Sequence, residues 1–303
     1  MVFNLTLSSA EIQALYNSSY APPTDAAASW PFEEGTGLTT DDVVGSNDGT
    51  LYNTTWSDGR QGLALRFDGV SSYISTPDSD LWDLGSSDFT IAGWVNTTTP
   101  GATMRLIAAG NAAEGANSLW AFGYGAHPVW GDGNRMNLAI WNGYGYIDLN
   151  SDEIVIVPGT WNYLTLVRSG TSLSFYFNGT LAGSRDIGTV ALTGGSTGAI
   201  IGARYDAGLP TAIIEYAQGL IDGVELYPRA LSVEEINALY TLDALDQPGK
   251  CKPCFDPPED MVSWWPFYEG EGTTTEDILG GNDGVISGAT WSDGKVGNAL
   301  NFD

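Results

Sequence analysis

The sequence predicts an all-β protein, a sandwich or barrel of short antiparallel strands. Three observations carry the prediction. Apolar and polar residues alternate over much of the chain, which places every second side chain on one face. Gly, Asn and Asp interrupt these stretches at a spacing of about 8–12 residues, the rhythm of strands joined by turns. Helical periodicity is rare, while 39 Gly and an aromatic content of 12% suit tight turns and packed sheets.

Taken in order, the elements begin with a helical tail. Ser8-Ser9-Ala10-Glu11 has the Ser and Glu spacing of a capping box. Pro22-Pro23 then marks an extended linker. Strands are expected over Ser72–Thr76, Asp88–Val95, Arg105–Ala109, Ser118–Gly123, Met136–Trp141, Trp161–Val167, Ser172–Phe177, Leu181–Asp186, Gly198–Gly202 and Gln218–Tyr227. Phe89, Ile91 and Val95 share one face, as do Leu173, Phe175 and Phe177, and Trp161–Val167 reads as buried on much of both faces. Asp148, Asn150 and Asp152 read as a polar strand edge. Asn178-Gly179 predicts a type I′ hairpin, since both residues tolerate positive φ. Ser232-Val233-Glu234-Glu235 is a second capping box, opening a short helix striped by Ile236, Leu239 and Tyr240.

The chain also repeats itself. Residues 30–68 and 265–303 align without a gap at an offset of 235 and agree at 23 of 39 positions. Leu7–Tyr16 matches Leu231–Tyr240 at 7 of 10 positions, at an offset of 224. Such self-similarity points to tandem modules. The expected organisation is the tail of a preceding module at 1–16, a linker at 17–27, a complete module at 28–240, a Pro-rich linker at 241–262, and the opening part of a following module at 263–303. Trp265, Phe267, Trp291, Leu300 and Phe302 of that last piece lack strands to cover them. Alone, it is expected to be disordered or prone to aggregate.

Composition narrows the function. A formal charge of −26, from 11 Lys and Arg against 37 acids, repels nucleic acid and anionic membrane surfaces and favours cations. It equally suits a solvated, secreted surface. One His and two Cys do not make a zinc site. Cys251-Lys252-Pro253-Cys254 lies in the Pro-rich linker rather than a βαβ context. A linker disulfide, local or to a neighbouring chain, is the first reading of Cys251 and Cys254, a free pair the second and redox catalysis the last. No run of 18 apolar residues exists to span a bilayer. Asn4, Asn17, Asn53, Asn96 and Asn178 stand in Asn-x-Ser/Thr sequons that permit extracellular glycosylation.

Several ordered motifs then converge: Trp30-Pro31-Phe32, Asp42-x-x-Gly45-x-Asn47-Asp48-Gly49, Ala64–Ile74, Phe89–Val95, Trp161-Asn162-Tyr163, Gly219–Tyr227 and Arg229-Ala230-Leu231-Ser232. Together they resemble the laminin G-like branch of the concanavalin A-like lectin/glucanase superfamily, across residues 28–240. The resemblance implies a two-sheet antiparallel jelly-roll sandwich with one short C-terminal helix per module. It also implies a Ca²⁺ ion where the last long strand meets the module's beginning. By motif match the strand carboxylate is Asp222, with Asp42, Asp48 and Asp68 as neighbouring ligands. Hard oxygen donors suit this cation. However, an Asp in Asn-Asp-Gly or before Gly commonly satisfies its own turn, and Gly223 stands where relatives often carry a second acid.

Residues 120–146 hold Trp120, Tyr124, His127, Trp130, Trp141, Tyr144 and Tyr146 among Gly and Asn. Flat aromatic faces beside amides and carboxylates suit sugar rings, although such residues also serve as sandwich core. Trp130 is the first choice for ligand contact, with Trp141, Tyr144 and Trp120 beside it. The resemblance implies Glu-x-Asp-x-Glu on one strand for a glycosidase, a spacing that aligns acids on one face. This sequence has no such run, and Asp222 and Glu225, three apart, would face opposite ways on a regular strand. The chain is therefore expected not to be an enzyme. The leading expectation is a structural or adhesive extracellular module, stiffened by Ca²⁺, that partners neighbouring modules or copies of itself in a large surface or filament-forming protein. The alternative is a carbohydrate-binding, lectin-like module of a secreted adhesin or polysaccharide-degrading enzyme.

Overall fold

The structure, a computed structural model, describes residues 2–3, 25–60, 62–99, 101, 103–111, 115, 118–125, 134–206, 212–243, 261–267, 269–277, 281–293 and 298–302. Trp130, His127, Asn4, Asn17, Cys251 and Cys254 lie outside them. The chain divides into two compact units, Pro22–Tyr240 and Met1–Ala21 with Thr241–Asp303.

Strands are numbered along the chain. β1 (Val2–Phe3) belongs to the second unit. The first unit contains β2 (Ala28–Trp30), β3 (Thr39–Thr40), β4 (Gly49–Tyr52), β5 (Thr55–Asp58), β6 (Leu63–Asp68), β7 (Tyr73–Ser75), β8 (Phe89–Asn96), β9 (Met104–Gly110), β10 (Leu119–Tyr124) and β11 (Met136–Trp141). It continues through β12 (Tyr146–Asn150), β13 (Trp161–Ser169), β14 (Ser172–Phe177), β15 (Thr180–Asp186), β16 (Ala199–Ile201), β17 (Arg204–Tyr205), β18 (Ile213–Ile214) and β19 (Gln218–Tyr227), then helix α1 (Val233–Asp243). One antiparallel sheet runs β12-β11-β10-β9-β16-β7-β4-β3 and the other β15-β14-β13-β8-β19-β6-β5, with β2 also on β19. This is the two-sheet jelly-roll sandwich that the sequence predicts.

Alternation builds the core. Trp120, Phe122 and Tyr124 of β10, Leu138 and Ile140 of β11, and Phe89, Ile91 and Val95 of β8 all enter one cluster between the sheets. Leu173 and Phe175 join it, and Phe177 packs on its margin. β8 and β13 are apolar on both faces because the other face of their sheet carries a second cluster. There Ala92, Trp94, Tyr163, Val167 and Tyr227 pack with Leu231, Ile236 and Leu239 from the α1 region. The capping box forms as expected: Ser232 Oγ accepts the Glu235 amide at 3.2 Å, and Glu235 accepts the Ser232 amide at 2.8 Å. The type I′ turn also forms, with Asn178 and Gly179 at φ 50° and 74°.

One sequence expectation is corrected. The register of β19 against β8 shifts between Asp222 and Glu225, so Asp222 pairs with Trp94 and Glu225 with Ala92. Gly223 takes φ +56° at this bulge, a conformation that favours Gly. The extra residue puts both acids on the same face as Trp94 and Ala92 rather than on opposite faces.

Arg168 is 1% exposed. Its guanidinium donates to the carbonyls of Gly85, Val190 and Gly188 and its Nε to that of Gly170. It thereby closes three loop segments over the end of β13. Arg168→Met would leave these carbonyls without that donor, and the expected loss is about 2–3 kcal/mol, measured as a lower urea midpoint with unchanged m-value.

The second unit repeats the first at its start. β20 (Met261–Ser263), β21 (Thr274–Thr275), β22 (Gly284–Val285), β23 (Thr290–Asp293) and β24 (Asn298–Asn301) follow the linker. Trp265 Nε1 donates to Asn282 O as Trp30 Nε1 does to Asn47 O. Asp277 accepts from Trp264 N and Asn282 as Asp42 does from Ser29 N and Asn47. Phe267 shares the left-handed φ of Phe32. β1 pairs with β20, Val2 opposite Ser263, which by the two sequence offsets is the partnership of Leu226 with Ala28. Phe32 is fully buried in the first unit, whereas Phe267 is half-buried and Phe302 is 72% exposed.

Candidate ligand-binding face

The outward face of the first sheet gathers most of the unusual side chains. On β11, Met136, Leu138 and Ile140 enter the core, so Asn137 and Trp141 point the other way. Their partners on β12, Asn150 and Tyr146, share that face, as does Asp148 opposite Ala139. Trp141 and Tyr146 meet edge to face at 5.4 Å. Asn142 Oδ1 accepts the amides of Tyr144 and Gly145 at 3.0 and 2.9 Å, a local turn that holds Tyr144 out with 98% exposure. Trp120 is the reverse case. It is fully buried in the sandwich with its indole N–H on Trp82 O at 3.0 Å, and it offers no face to a ligand.

Behind Trp141 and Tyr146 lies a buried ionic network. Arg105 of β9 donates through Nε to Glu215 at 2.7 Å and through Nη1 to Asn137 at 3.0 Å. Arg204 of β17 donates to Glu215 and to the Tyr146 hydroxyl, and its guanidinium lies 4.7 Å from the Tyr146 ring centre. Asn137 passes the chain on to Asp148 and Asn150, both at 3.1 Å. The side chains of Arg105, Arg204 and Glu215 are only 2%, 4% and 7% exposed. Burial alone would push the Glu215 carboxyl up, but the two guanidiniums hold it down at about 2. Glu215 sits at φ +54°, backbone strain that persists where surroundings over-determine it. Arg204 Nε and Asp148 Oδ2 are buried without a partner, polar capacity that a hydroxyl or a water fits.

A second aromatic group on this face was not legible as a site in the sequence. Tyr52 of β4 and Tyr73 of β7 are register partners. They stack at 4.5 Å with 8° between planes, and Tyr216 lies 6.4 Å from Tyr73. Tyr52 is 42% exposed, and Tyr73, Tyr205 and Tyr216 are half-buried. The residues come from two stretches, 52–73 and 205–216, far apart in the chain, so no local pattern marks them.

The four Asp residues named for calcium each accept backbone amides. Asp42 accepts five hydrogen bonds, from Ser29 N, Val44 N, Gly45 N and both Asn47 nitrogens. Burial raises its carboxyl, but these donors prevail and lower it. Asp48 accepts the Asp42 amide. Asp68 accepts the amides of Val70, Ser71 and Ser72 and the Ser71 hydroxyl. Asp222 differs, because it reaches out of its strand to the amide of Arg60 at 2.7 Å. Glu33 approaches the same turn and accepts Leu63 N, and burial pushes its carboxyl up to about 7, so two acids meet the turn that carries Arg60 and Leu63. Among the described residues no three His, Cys, Asp or Glu meet, so any shell completed there would draw on carbonyl oxygens and water.

The sequons are partly occupied by structure. Asn178 accepts Tyr163 N and donates to Asn162, Asn53 donates to Ser71, and Asn96 donates to Gly159 O.

Residues 68–237 match the family model of the concanavalin A-like lectin/glucanases superfamily. No curated protein matches the chain in sequence. Among solved structures, domain 4 of AbnA, a GH43 extracellular arabinanase from Geobacillus stearothermophilus in complex with arabinotriose, is similar at 16% identity and a TM-score of 0.52, over 71% of this chain and 98% of that one. The binding domain of Paraclostridial Mosquitocidal Protein 1 is similar at 13% and 0.53, over 92% of this chain and 64% of that one. Trypanosoma rangeli sialidase in complex with sialic acid is similar at 19% and 0.51, over 72% of this chain and 33% of that one. At these identities the likeness is one of fold. The chain spans less than two thirds of the mosquitocidal domain and one third of the sialidase.

Proposed function

The chain belongs to the concanavalin A-like lectin/glucanases superfamily, and from that premise we propose that it is a non-catalytic carbohydrate-binding module of a secreted protein. The observation that carries the proposal is the pair of half-exposed rings, Trp141 and Tyr146, with fully exposed Tyr144 beside them, set on a buried Arg105–Glu215–Arg204 network. Rings displayed on an immobile polar base suit a sugar, whose apolar C–H face stacks while its hydroxyls take the remaining donors and acceptors. One structural neighbour, matched over 98% of its length, is in complex with arabinotriose, which supports a sugar ligand for this fold. The non-catalytic part is supported by the acids. Asp222 and Glu225 share a face, but both are buried, and Glu225 accepts the Tyr227 hydroxyl at 2.9 Å beside the Trp94 cluster. The acidic composition and the neighbouring extracellular arabinanase support an extracellular location.

The test is affinity electrophoresis and calorimetry against neutral and acidic polysaccharides. Retention by at least one of them, weakened about tenfold by Trp141→Ala, is expected. Absence of retention by all of them would overturn the reading.

A second reading, in which the module also serves as a structural repeat partnering its siblings, rests on the hydrogen bonds of residues 261–302 that duplicate those at 28–68 and on the matching register of β1 with β20. Within it, Ca²⁺ is proposed at Asp222 and Glu33 with carbonyl oxygens of the 59–63 turn. Saturating Ca²⁺ is expected to raise the first unit's Tm over the chelated protein by about 5–10 °C, corresponding to about 2.7 kcal/mol at a hundredfold excess over Kd. Asp222→Asn removes the rise. Equal melting curves with Ca²⁺ and with chelator would dismiss the ion.

A further inference from the structure

The tyrosine group has no role in the sandwich core. Tyr52 and Tyr73 lie opposite their neighbours Leu51 and Ile74, which enter the core. Tyr52, 42% exposed, and half-buried Tyr73 stack in parallel on the outer sheet face, and the third, Tyr216, is carried in by a segment that the buried network fastens down. Glu215 is bonded to Arg105 and Arg204, and Tyr216 follows it directly. Tyr205 likewise follows Arg204. The ionic network therefore positions both aromatic groups: Tyr146 on one side, through the Arg204 guanidinium, and Tyr205 and Tyr216 on the other, through the peptide chain. Five strand spacings separate β12 from β7 in the sheet, at about 4.8 Å each.

Charge limits what this face takes. Arg105 and Arg204 on this face both bond Glu215, and Asp206 acts on Arg204 as a second acid, so two cations stand against two anions. The charged group that acts on Tyr216 is an acid: burial, and then Asp68, pushes its hydroxyl up. The chain as a whole carries −26. An anionic sugar meets no uncompensated cation here and a repelling field, whereas an uncharged one stacks on the rings without that penalty.

Resting on the glycan reading above, we propose that Tyr52, Tyr73, Tyr205 and Tyr216 form a second contact surface for the same ligand, and that this ligand is an uncharged, linear oligosaccharide long enough to reach both aromatic groups. A chain that engages two surfaces gains affinity with length, because its second contact is made at high effective concentration.

Calorimetry of the whole 303-residue chain with arabino-oligosaccharides of two to eight units, and with a sialylated trisaccharide, tests this. Affinity is expected to rise at least about tenfold along the neutral series. Tyr52→Ala, at an exposed ring, abolishes most of that rise while leaving the shortest ligand bound through Trp141. Tyr73→Phe, which keeps the stack, retains it. Circular dichroism checks that each variant stays folded. Binding without a length dependence, or a dependence untouched by Tyr52→Ala, overturns the second surface and leaves the glycan reading standing. Tighter binding of the sialylated sugar than of any neutral one overturns the uncharged ligand. Failure of every sugar to bind, neutral or acidic, overturns the glycan reading and this inference with it.

Discussion

Glu215→Gln is expected to destabilise the first unit by about 3–5 kcal/mol at neutral pH. Glu215 is the anion shared by two guanidiniums that are almost wholly removed from water. Its neutral replacement removes the one anion that both buried cations bond, the costly way to break a buried ionic cluster. The effect depends on pH with a defined sign. Burial would raise the Glu215 carboxyl, but Arg204 and Arg105 hold it at about 2 in the folded state, below its ordinary value. Its contribution is therefore fully present above the ordinary carboxylate range and is lost as the pH falls toward 2, a contribution of about 3 kcal/mol. Asp42 and Asp68 are also lowered and add to acid lability. In the variant the Glu215 share of the acid slope disappears. Urea midpoints of the two proteins should differ most near pH 7 and converge only as the pH falls toward 2; parallel curves at all pH values would show that the charge of Glu215 contributes nothing. Sugar binding should weaken as well, since Glu215 fastens the segment that carries Tyr216.

The sandwich was legible because its strands alternate against a core. Met136–Trp141 and Gln218–Tyr227 coincide with β11 and β19 to the residue. β12 was legible only as a polar edge, because Tyr146, Asp148 and Asn150 are polar on one face while Ile147 and Leu149 merely pack on the core margin. The bulge at Gly223 was hidden, since nothing in a strand's alternation announces where a residue is inserted. That single insertion reversed the expected facing of Asp222 and Glu225. The candidate site was half legible. Trp141 and Tyr144 stand in one local run, and Trp120 in the same run turned out to be core, because period-two alternation on β10 was not carried through to its face. The tyrosine group and the Arg105–Glu215–Arg204 network escaped altogether, each being assembled from segments more than a hundred residues apart. One signal was available: all eight bases between residues 28 and 240 are Arg and none is Lys. The planar, always-charged guanidinium suits buried bidentate work, and Arg105, Arg168 and Arg204 do it.

Asp42→Ala is expected to cost the first unit about 3–4 kcal/mol, near 10 °C in Tm for a unit of this size, and the loss should be the same with Ca²⁺ or chelator. Asp42 was a calcium candidate from its position, but its two oxygens already serve five N–H donors at 2.9–3.3 Å. Those bonds fix the chain from β2 through the turn that ends at Asn47, whose carbonyl in turn receives the Trp30 indole. Removing the carboxylate strands buried amides at Ser29 and Asn47 and loosens the clamp on Trp30, which stacks on Trp82 at 6.1 Å in the core. The motif's spacing has the same cause. An added Cβ at Gly45 would lie 2.5 Å from Asp42 Oδ2, so the turn closes on the carboxylate only if that position is bare. Asp222→Asn offers the contrast, since Asp222 reaches the amide of Arg60 in a distant turn rather than closing its own, and its replacement should alter melting more when Ca²⁺ is present than with chelator. Should Asp42→Ala instead lose stability only in Ca²⁺, Asp42 would be a ligand after all, and the turn would owe its shape to the ion rather than to its own hydrogen bonds.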